Sequence, residues 1–227
     1  MYTPSAISVP GKLSHINIYE RRRIEMKESK RIENADVFAA IARAICQIKE
    51  DRTCAIAVCG PGGSGKTTTG KQFEQIFPNS VAIELDDYLI PRWERREKGI
   101  VGYNPRASDL SRVRKDIQEL KECRSILKKI YDPKTGDFPG EERIDPVDYI
   151  FITGGTTLSD EFSDLVDLGI FLDASEEVQL KTRLKRDTTE RDYTVEEVIQ
   201  NMSRLKKDFA TFIEPTRERA LLIFSVD

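Results

Sequence analysis

Five short apolar runs punctuate the chain, at 54–59, 81–85, 149–152, 168–172 and 221–224. Their hydrophobicity is continuous rather than alternating, the pattern of strands buried on both faces in a parallel sheet. The stretches between them have the period of helices. Leu110, Val113, Ile117 and Leu120 recur at helical spacing after Asp109, and Ser175 opens a second helix with Glu176 and Glu177 in its first turn, where negative charge suits the dipole. Thr194 and Glu197 form a capping box ahead of a third, whose stripe of Val195, Val198, Ile199, Met202, Leu205, Phe209 and Phe212 predicts core packing. Another helix follows Asp36, marked by Val37, Ile41, Ile45 and Ile48. This alternation predicts an α/β fold: a doubly wound, mostly parallel five-stranded sheet with helices on both faces and ligands at the carboxyl ends of its strands.

Residues 1–33 break the pattern, so the chain divides into a polar N-terminal extension, 1–33, and an α/β domain, 34–227. The triplet Arg21-Arg22-Arg23 reads first as a solvated face. The extension could equally serve as an oligomer arm, which makes a homo-oligomer one expectation. A formal net charge of −3 provides no electrostatic footprint for nucleic acid. No apolar run approaches the roughly 20 residues of a membrane span, and Met1-Tyr2-Thr3-Pro4-Ser5 lacks the basic and then apolar pattern of a secretory leader. The expectation is a cytoplasmic protein acting on a small molecule, with neither nucleic acid nor membrane as partner. Cys46, Cys54, Cys59 and Cys123 show no zinc or disulfide spacing and are expected to be reduced, buried thiols. The single histidine, His15, lies in the extension, so a general base within the fold must be a carboxylate.

Directly after the first apolar run, Gly60-Pro61-Gly62-Gly63-Ser64-Gly65-Lys66-Thr67 fits the phosphate-loop pattern G-x-x-x-x-G-K-[ST]. A buried strand there delivers the chain to a turn whose backbone N–H groups point at phosphate oxygens, and the following helix adds its positive end. Lys66 is expected on the β- and γ-phosphates, the Thr67 hydroxyl on Mg²⁺, and the whole stretch through Thr68 in nucleotide binding. The second run ends in Glu84-Leu85-Asp86-Asp87-Tyr88, which puts carboxylates where they could accept a hydroxyl proton or hold Mg²⁺ through water. No Asn-Lys-x-Asp guanine-reading motif occurs, so a kinase of a small alcohol leads over a GTPase.

From here the chain resembles the uridine kinase and phosphoribulokinase family of P-loop kinases over most of residues 54–218. Asp86-Asp87-Tyr88-Leu89 is similar to the family's Asp-x-aromatic-Tyr segment, whose first Asp is the catalytic base; by that likeness Asp86 is the base and a metal neighbour, with Asp87 and Tyr88 beside the acceptor. Asn104-Pro105-Arg106-Ala107-Ser108-Asp109 resembles the Pro-x-Ala-x-Asp stretch that binds ribose hydroxyls, which points to Asp109. Tyr131-Asp132 resembles the start of a substrate-enclosing hairpin, and Arg183, Arg186 and Arg191 resemble an arginine-rich lid around 183–193, with Arg183 toward ATP, Arg186 catalytic and Arg191 toward the acceptor. Guanidinium groups suit that task, since phosphoryl transfer spreads negative charge over equatorial oxygens. Phe212-Ile213-Glu214-Pro215 resembles the family's Phe-x-x-Pro region.

The resemblance implies an ATP- and Mg²⁺-dependent kinase of uridine kinase type, acting on a hydroxyl of a nucleoside such as uridine or cytidine. Two residues depart from the family pattern. Gly136 stands where uridine kinases have a His that contacts the pyrimidine, and Gly154 where the family usually has a Glu near the metal. Kinases of another polyol or sugar phosphate therefore remain alternatives, as does a nucleotide-binding regulator with little turnover. Trp93 is expected to pack under a loop or to line the acceptor pocket.

Overall fold

The computed structural model describes residues 34–48, 51–100 and 102–226. The predicted extension, with Arg21–Arg23 and His15, lies outside the described residues. Strands β1 (Cys54–Cys59), β2 (Ser80–Glu84), β5 (Tyr149–Thr153), β6 (Leu168–Ala174) and β7 (Leu222–Val226) coincide with the five apolar runs to within two residues at either end. They form one sheet in the order β2-β5-β1-β6-β7, every neighbouring pair parallel. All six residues of β1 are buried, as its unbroken apolar sequence requires of a central strand covered on both sides.

Two helices cover β1 from opposite faces. Phe73 of α2 (Lys66–Ile76) stacks on Phe151 of β5 with ring centroids 5.2 Å apart, and Phe77, at the C-cap of the helix, lies tilted against the same ring. On the other face Ala55, Ala57, Ile150 and Ile152 meet Val113, Ile117 and Leu120 of α4 (Leu110–Lys121). Helix α1 (Asn34–Ile48) buries Ile41, Ile45 and Ile48 as its spacing predicts.

Between these elements lie the short helix α3 (Arg92–Glu97) and an antiparallel hairpin, β3 (Ile126–Ile130) with β4 (Gly140–Ile144). The hairpin strands are absent from the apolar runs because the inward position after Ile126 is occupied by a lysine, Lys128, rather than a hydrophobic residue.

Helices α5 (Glu176–Glu190) and α6 (Val195–Asp208) start at the predicted caps, Ser175 and Thr194, and the capping box with Glu197 is complete. The predicted core stripe of α6 is corrected in part. Val198 is buried, but Val195 and Ile199 are 48% and 50% exposed, because α6 packs beside α5 rather than onto the sheet. Two further expectations are also corrected: Cys46 and Cys123 are exposed, unlike Cys54 and Cys59, and Trp93 is 64% exposed on α3 rather than packed under a loop. Among the described residues no helix is long and apolar enough to cross a membrane.

Candidate active site

The phosphate loop runs from the end of β1 into α2, as its position in the sequence predicts. Gly65 takes the left-handed conformation, φ 84°, that lets the chain enter the helix abruptly, and no side chain caps the first amides of α2. Those amides, with Thr67 and Thr68 exposed in the same turn, are left for an anion. Ser64 is buried and its Oγ has no partner, a second polar group without a protein counterpart. The Arg183 guanidinium lies across the loop at Gly62, in the space that a Cβ there would occupy.

Lys66 Nζ donates to the Pro61 carbonyl at 2.7 Å. Burial, followed by repulsion from Arg183 and Arg186, lowers its pKa to about 8 despite the opposing pull of Cys59 and Asp86. A lysine held there without an anion is strained electrostatically in a way that a triphosphate would relieve. Cys59 beneath it donates to the Gly155 carbonyl, and burial pushes its thiol up.

The lid arginines converge on a residue that the motif reading passed over. Asp187, buried on α5, accepts from Arg186 Nε at 2.7 Å and faces Arg191 Nε at 3.6 Å. Arg191 also reaches Asp86 at 3.9 Å, so the lid contacts the proposed base directly. Lys134 at the hairpin turn meets Asp192 at 3.2 Å. The lid therefore meets both the strand end and the hairpin turn.

Asp86 is exposed, whereas the carboxylate of Asp87 and the hydroxyl of Tyr88 are engaged by other residues. Asp87 accepts from the Lys128 ammonium and, at 3.0 Å, from the Tyr131 amide, so both oxygens anchor the hairpin to the strand end. Burial pulls Lys128 down, but Asp87 and Glu142 more than offset this and hold it above its ordinary value. Tyr88 is buried and donates to Asp116 at 3.0 Å on the far side of its short 3-10 turn; burial and Asp116 push its hydroxyl well above the usual tyrosine range. Asp87 thus holds the hairpin to the strand end, and the Tyr88 hydroxyl is taken up by Asp116.

Asp109 caps α4, and its Oδ1 takes both the Ser111 hydroxyl at 2.6 Å and the Arg112 amide at 3.0 Å. The Ser111 bond, then the Arg112 amide, hold this carboxyl below its usual range against a small opposing effect of burial. Its second oxygen is left for another partner. The Tyr131 hydroxyl accepts from Arg95 at 2.7 Å, with the guanidinium 5.8 Å above its ring.

Two residues besides Asp187, Tyr103 and Arg92, escaped the sequence reading, and Glu84 entered it only as one of the carboxylates ending the second apolar run. The Tyr103 hydroxyl accepts from the Gly62 amide and from Arg183 at 3.3 Å, so it sits on the loop itself, with its ring against Phe209. Glu84 accepts from the Thr67 hydroxyl at 3.1 Å. Arg92 packs on Gly136 and donates to the Pro133 and Lys134 carbonyls. Only Glu84 carried a signal, a lone charge in an apolar strand.

Mg²⁺ suits hard oxygen donors and is commonly held by one or two carboxylates together with phosphates and water. Thr67, Glu84 and Asp86 are such donors, and no cluster of three or more His, Cys, Asp or Glu ligands gathers among the described residues. The donor set fits an ion shared with a nucleotide rather than one caged by protein alone.

Comparison with known proteins agrees with this geometry. A family model described as the phosphoribulokinase / uridine kinase family matches residues 55–227. A phosphoribulokinase from Synechocystis sp. is 34% identical over 180 residues, 78% of this chain and 54% of that protein. A uridine kinase from Brevibacillus brevis is 32% identical over 176 residues, 74% of this chain and 82% of that protein. The solved phosphoribulokinase of Rhodobacter spheroides shares the fold with a TM-score of 0.59 at 20% identity, covering 75% of this chain and 69% of that one. The chain spans about half the length of the curated phosphoribulokinase it matches.

Proposed function

The chain belongs to the phosphoribulokinase / uridine kinase family, and on that premise we propose that it transfers the γ-phosphoryl group of ATP to a hydroxyl of a small phosphorylated polyol, such as a pentose phosphate. The amides of the loop and of the first turn of α2 bind the triphosphate, and Lys66, Arg183 and Arg186 offset the charge that builds on the transferred group. Asp86 orients the acceptor hydroxyl and takes its proton as the new phosphate ester bond forms and the bond to ADP breaks. The free oxygen of Asp109 accepts from an acceptor hydroxyl. Thr67 would be a protein donor to Mg²⁺, which when bound would supply neutralisation of the phosphate charge.

One observation carries the choice of acceptor. Gly136 is buried with φ 81°, and a Cβ there would lie 2.6 Å from Arg92 Nε, so no side chain can extend from this position to read a base. In its place the hairpin turn gathers Arg92 and Arg95, neither of which meets a carboxylate within ion-pair distance among the described residues. Planar guanidinium groups with no direct ion pair, Arg92 acting on Asp132 only at longer range, suit a phosphate better than a pyrimidine.

ADP release with pentose phosphates, nucleosides and unphosphorylated polyols tests the reading. Turnover is expected on the phosphorylated acceptors, with Arg92→Ala or Arg95→Ala raising the acceptor KM and leaving the ATP KM in place. Turnover on nucleosides alone would replace it with the uridine kinase reading, and none on any acceptor would favour a nucleotide-binding regulator.

A further inference from the structure

The third strand of the sheet core, β5, ends without an acid. Thr153 is its last residue and Gly154 follows, where a Cβ would lie 2.6 Å from Leu85 Cδ1 and Cγ. Leu85 fills the room a side chain at 154 would need, so a carboxylate cannot approach the phosphate loop from that position.

The adjacent strand brings one instead. Glu84 is the last residue of β2, paired in register with Thr153, and its Oε2 accepts from Thr67 Oγ1 at 3.1 Å. Thr153 faces α2 at Gly70, and its buried Oγ1 has no partner, so the strand ends beside the loop threonine hold polar groups unmatched by the protein. The other oxygen of Glu84, Oε1, meets Lys71 at 3.2 Å, an ammonium that is 62% exposed and therefore a weak competitor.

A threonine hydroxyl has one proton and two lone-pair positions. By giving its proton to Glu84, Thr67 is fixed in one rotamer with its lone pairs turned away from the carboxylate and available to a cation. We propose that Glu84 is the acidic positioning residue of this chain's Mg²⁺ site, supplied from β2 in place of an acid after β5. It acts through Thr67 and through the charge it presents to metal-bound water, as outer-shell carboxylates do. The inference rests on the nucleotide-binding half of the reading above and is independent of the acceptor.

Nucleotide binding without turnover tests it. The affinity for a non-hydrolysable ATP analogue is measured with EDTA and with saturating Mg²⁺, and Mn²⁺ binding to the same complex is followed by electron paramagnetic resonance. Glu84→Gln keeps an oxygen for Thr67 and removes only the charge. It is expected to cut the metal-dependent gain in affinity, and the Mn²⁺ affinity, by about 10- to 100-fold while leaving metal-free binding and the thermal midpoint close to wild type. Equal losses with and without metal would mean a purely structural role and would overturn the inference. So would an unchanged metal gain in Glu84→Gln, or a gain abolished by Asp86→Asn and not by Glu84→Gln. A wild type that binds nucleotide but ignores Mg²⁺ would sink this inference alone, whereas one that binds no nucleotide would sink the kinase reading with it.

Discussion

Nucleotide affinity is expected to fall as pH rises above 8, and Lys66 is the cause. Burial lowers its pKa from 10.5 to about 8 in the empty protein. A triphosphate brought into the loop restores a pKa near or above the ordinary value, so binding above pH 8 must take up a proton. With a free pKa of about 8, roughly nine-tenths of the empty protein is protonated at pH 7 and about one-tenth at pH 9. The dissociation constant should therefore be about tenfold larger at pH 9, close to 1.4 kcal/mol.

Stability runs in the opposite direction. Between pH 8 and 10.5 the unfolded chain holds a proton that the folded empty protein has shed, so this group's contribution to stability grows as pH rises through that window and is lost as pH falls through 8. Calorimetric titration of a non-hydrolysable analogue at constant ionic strength, in buffers of different ionisation enthalpy, measures affinity and proton uptake together. Affinity flat from pH 7 to 9 with no proton taken up at pH 9 would refute the reasoning. So would an unchanged slope in Lys66→Arg, whose charge is permanent.

Three other perturbations separate roles that lie close together. Asp86→Asn should lower turnover by about two to four powers of ten with little change in ATP affinity, while Asp87→Asn should chiefly lower stability, on the order of 2 kcal/mol, because Lys128 loses one of its two counter-charges; steady-state kinetics beside thermal melts would expose the reverse ordering. Asp109→Asn should raise the acceptor KM yet spare the melting temperature, since Asn still caps a helix, whereas Asp109→Ala should raise the KM and also lower the melting temperature, at a cost of about 1 kcal/mol; a KM unaffected in the Asn variant would reduce Asp109 to a cap. Tyr103→Phe keeps the ring against Phe209 and frees the Gly62 amide, so nucleotide should bind about three- to tenfold more tightly; unchanged or weaker binding in a direct titration would show that the hydroxyl does not compete with phosphate.

The site was legible in the sequence wherever chemistry depends on neighbours along the chain. A glycine-rich turn between a buried strand and a helix must present its amides outward, so the loop from Gly60 to Thr67 could be placed before any coordinates. Asp86 and Asp87 were told apart only by the family resemblance, because both follow the same apolar run and no local pattern says which of two adjacent carboxylates in the turn is engaged elsewhere. What separates them is Lys128, 41 residues further along the chain on the hairpin, whose buried ammonium demands a carboxylate. Tyr88, similarly, is claimed by Asp116 on α4.

By itself, then, the sequence determined the five strands, the helix caps and the phosphate loop, since apolar runs, capping residues and glycines act over a few residues. Tertiary structure decided which polar groups share a space. Strand order sets Glu84 next to Thr153 and thus against Thr67. The return of α5 over the loop brings Arg183 onto Gly62, and Arg191 just beyond it toward Asp86. The packing of the hairpin onto α3 closes Gly136 against Arg92. These contacts join residues between 17 and 121 positions apart in the chain, and no local pattern encodes them, because each depends on where the sheet and its crossovers put the two partners.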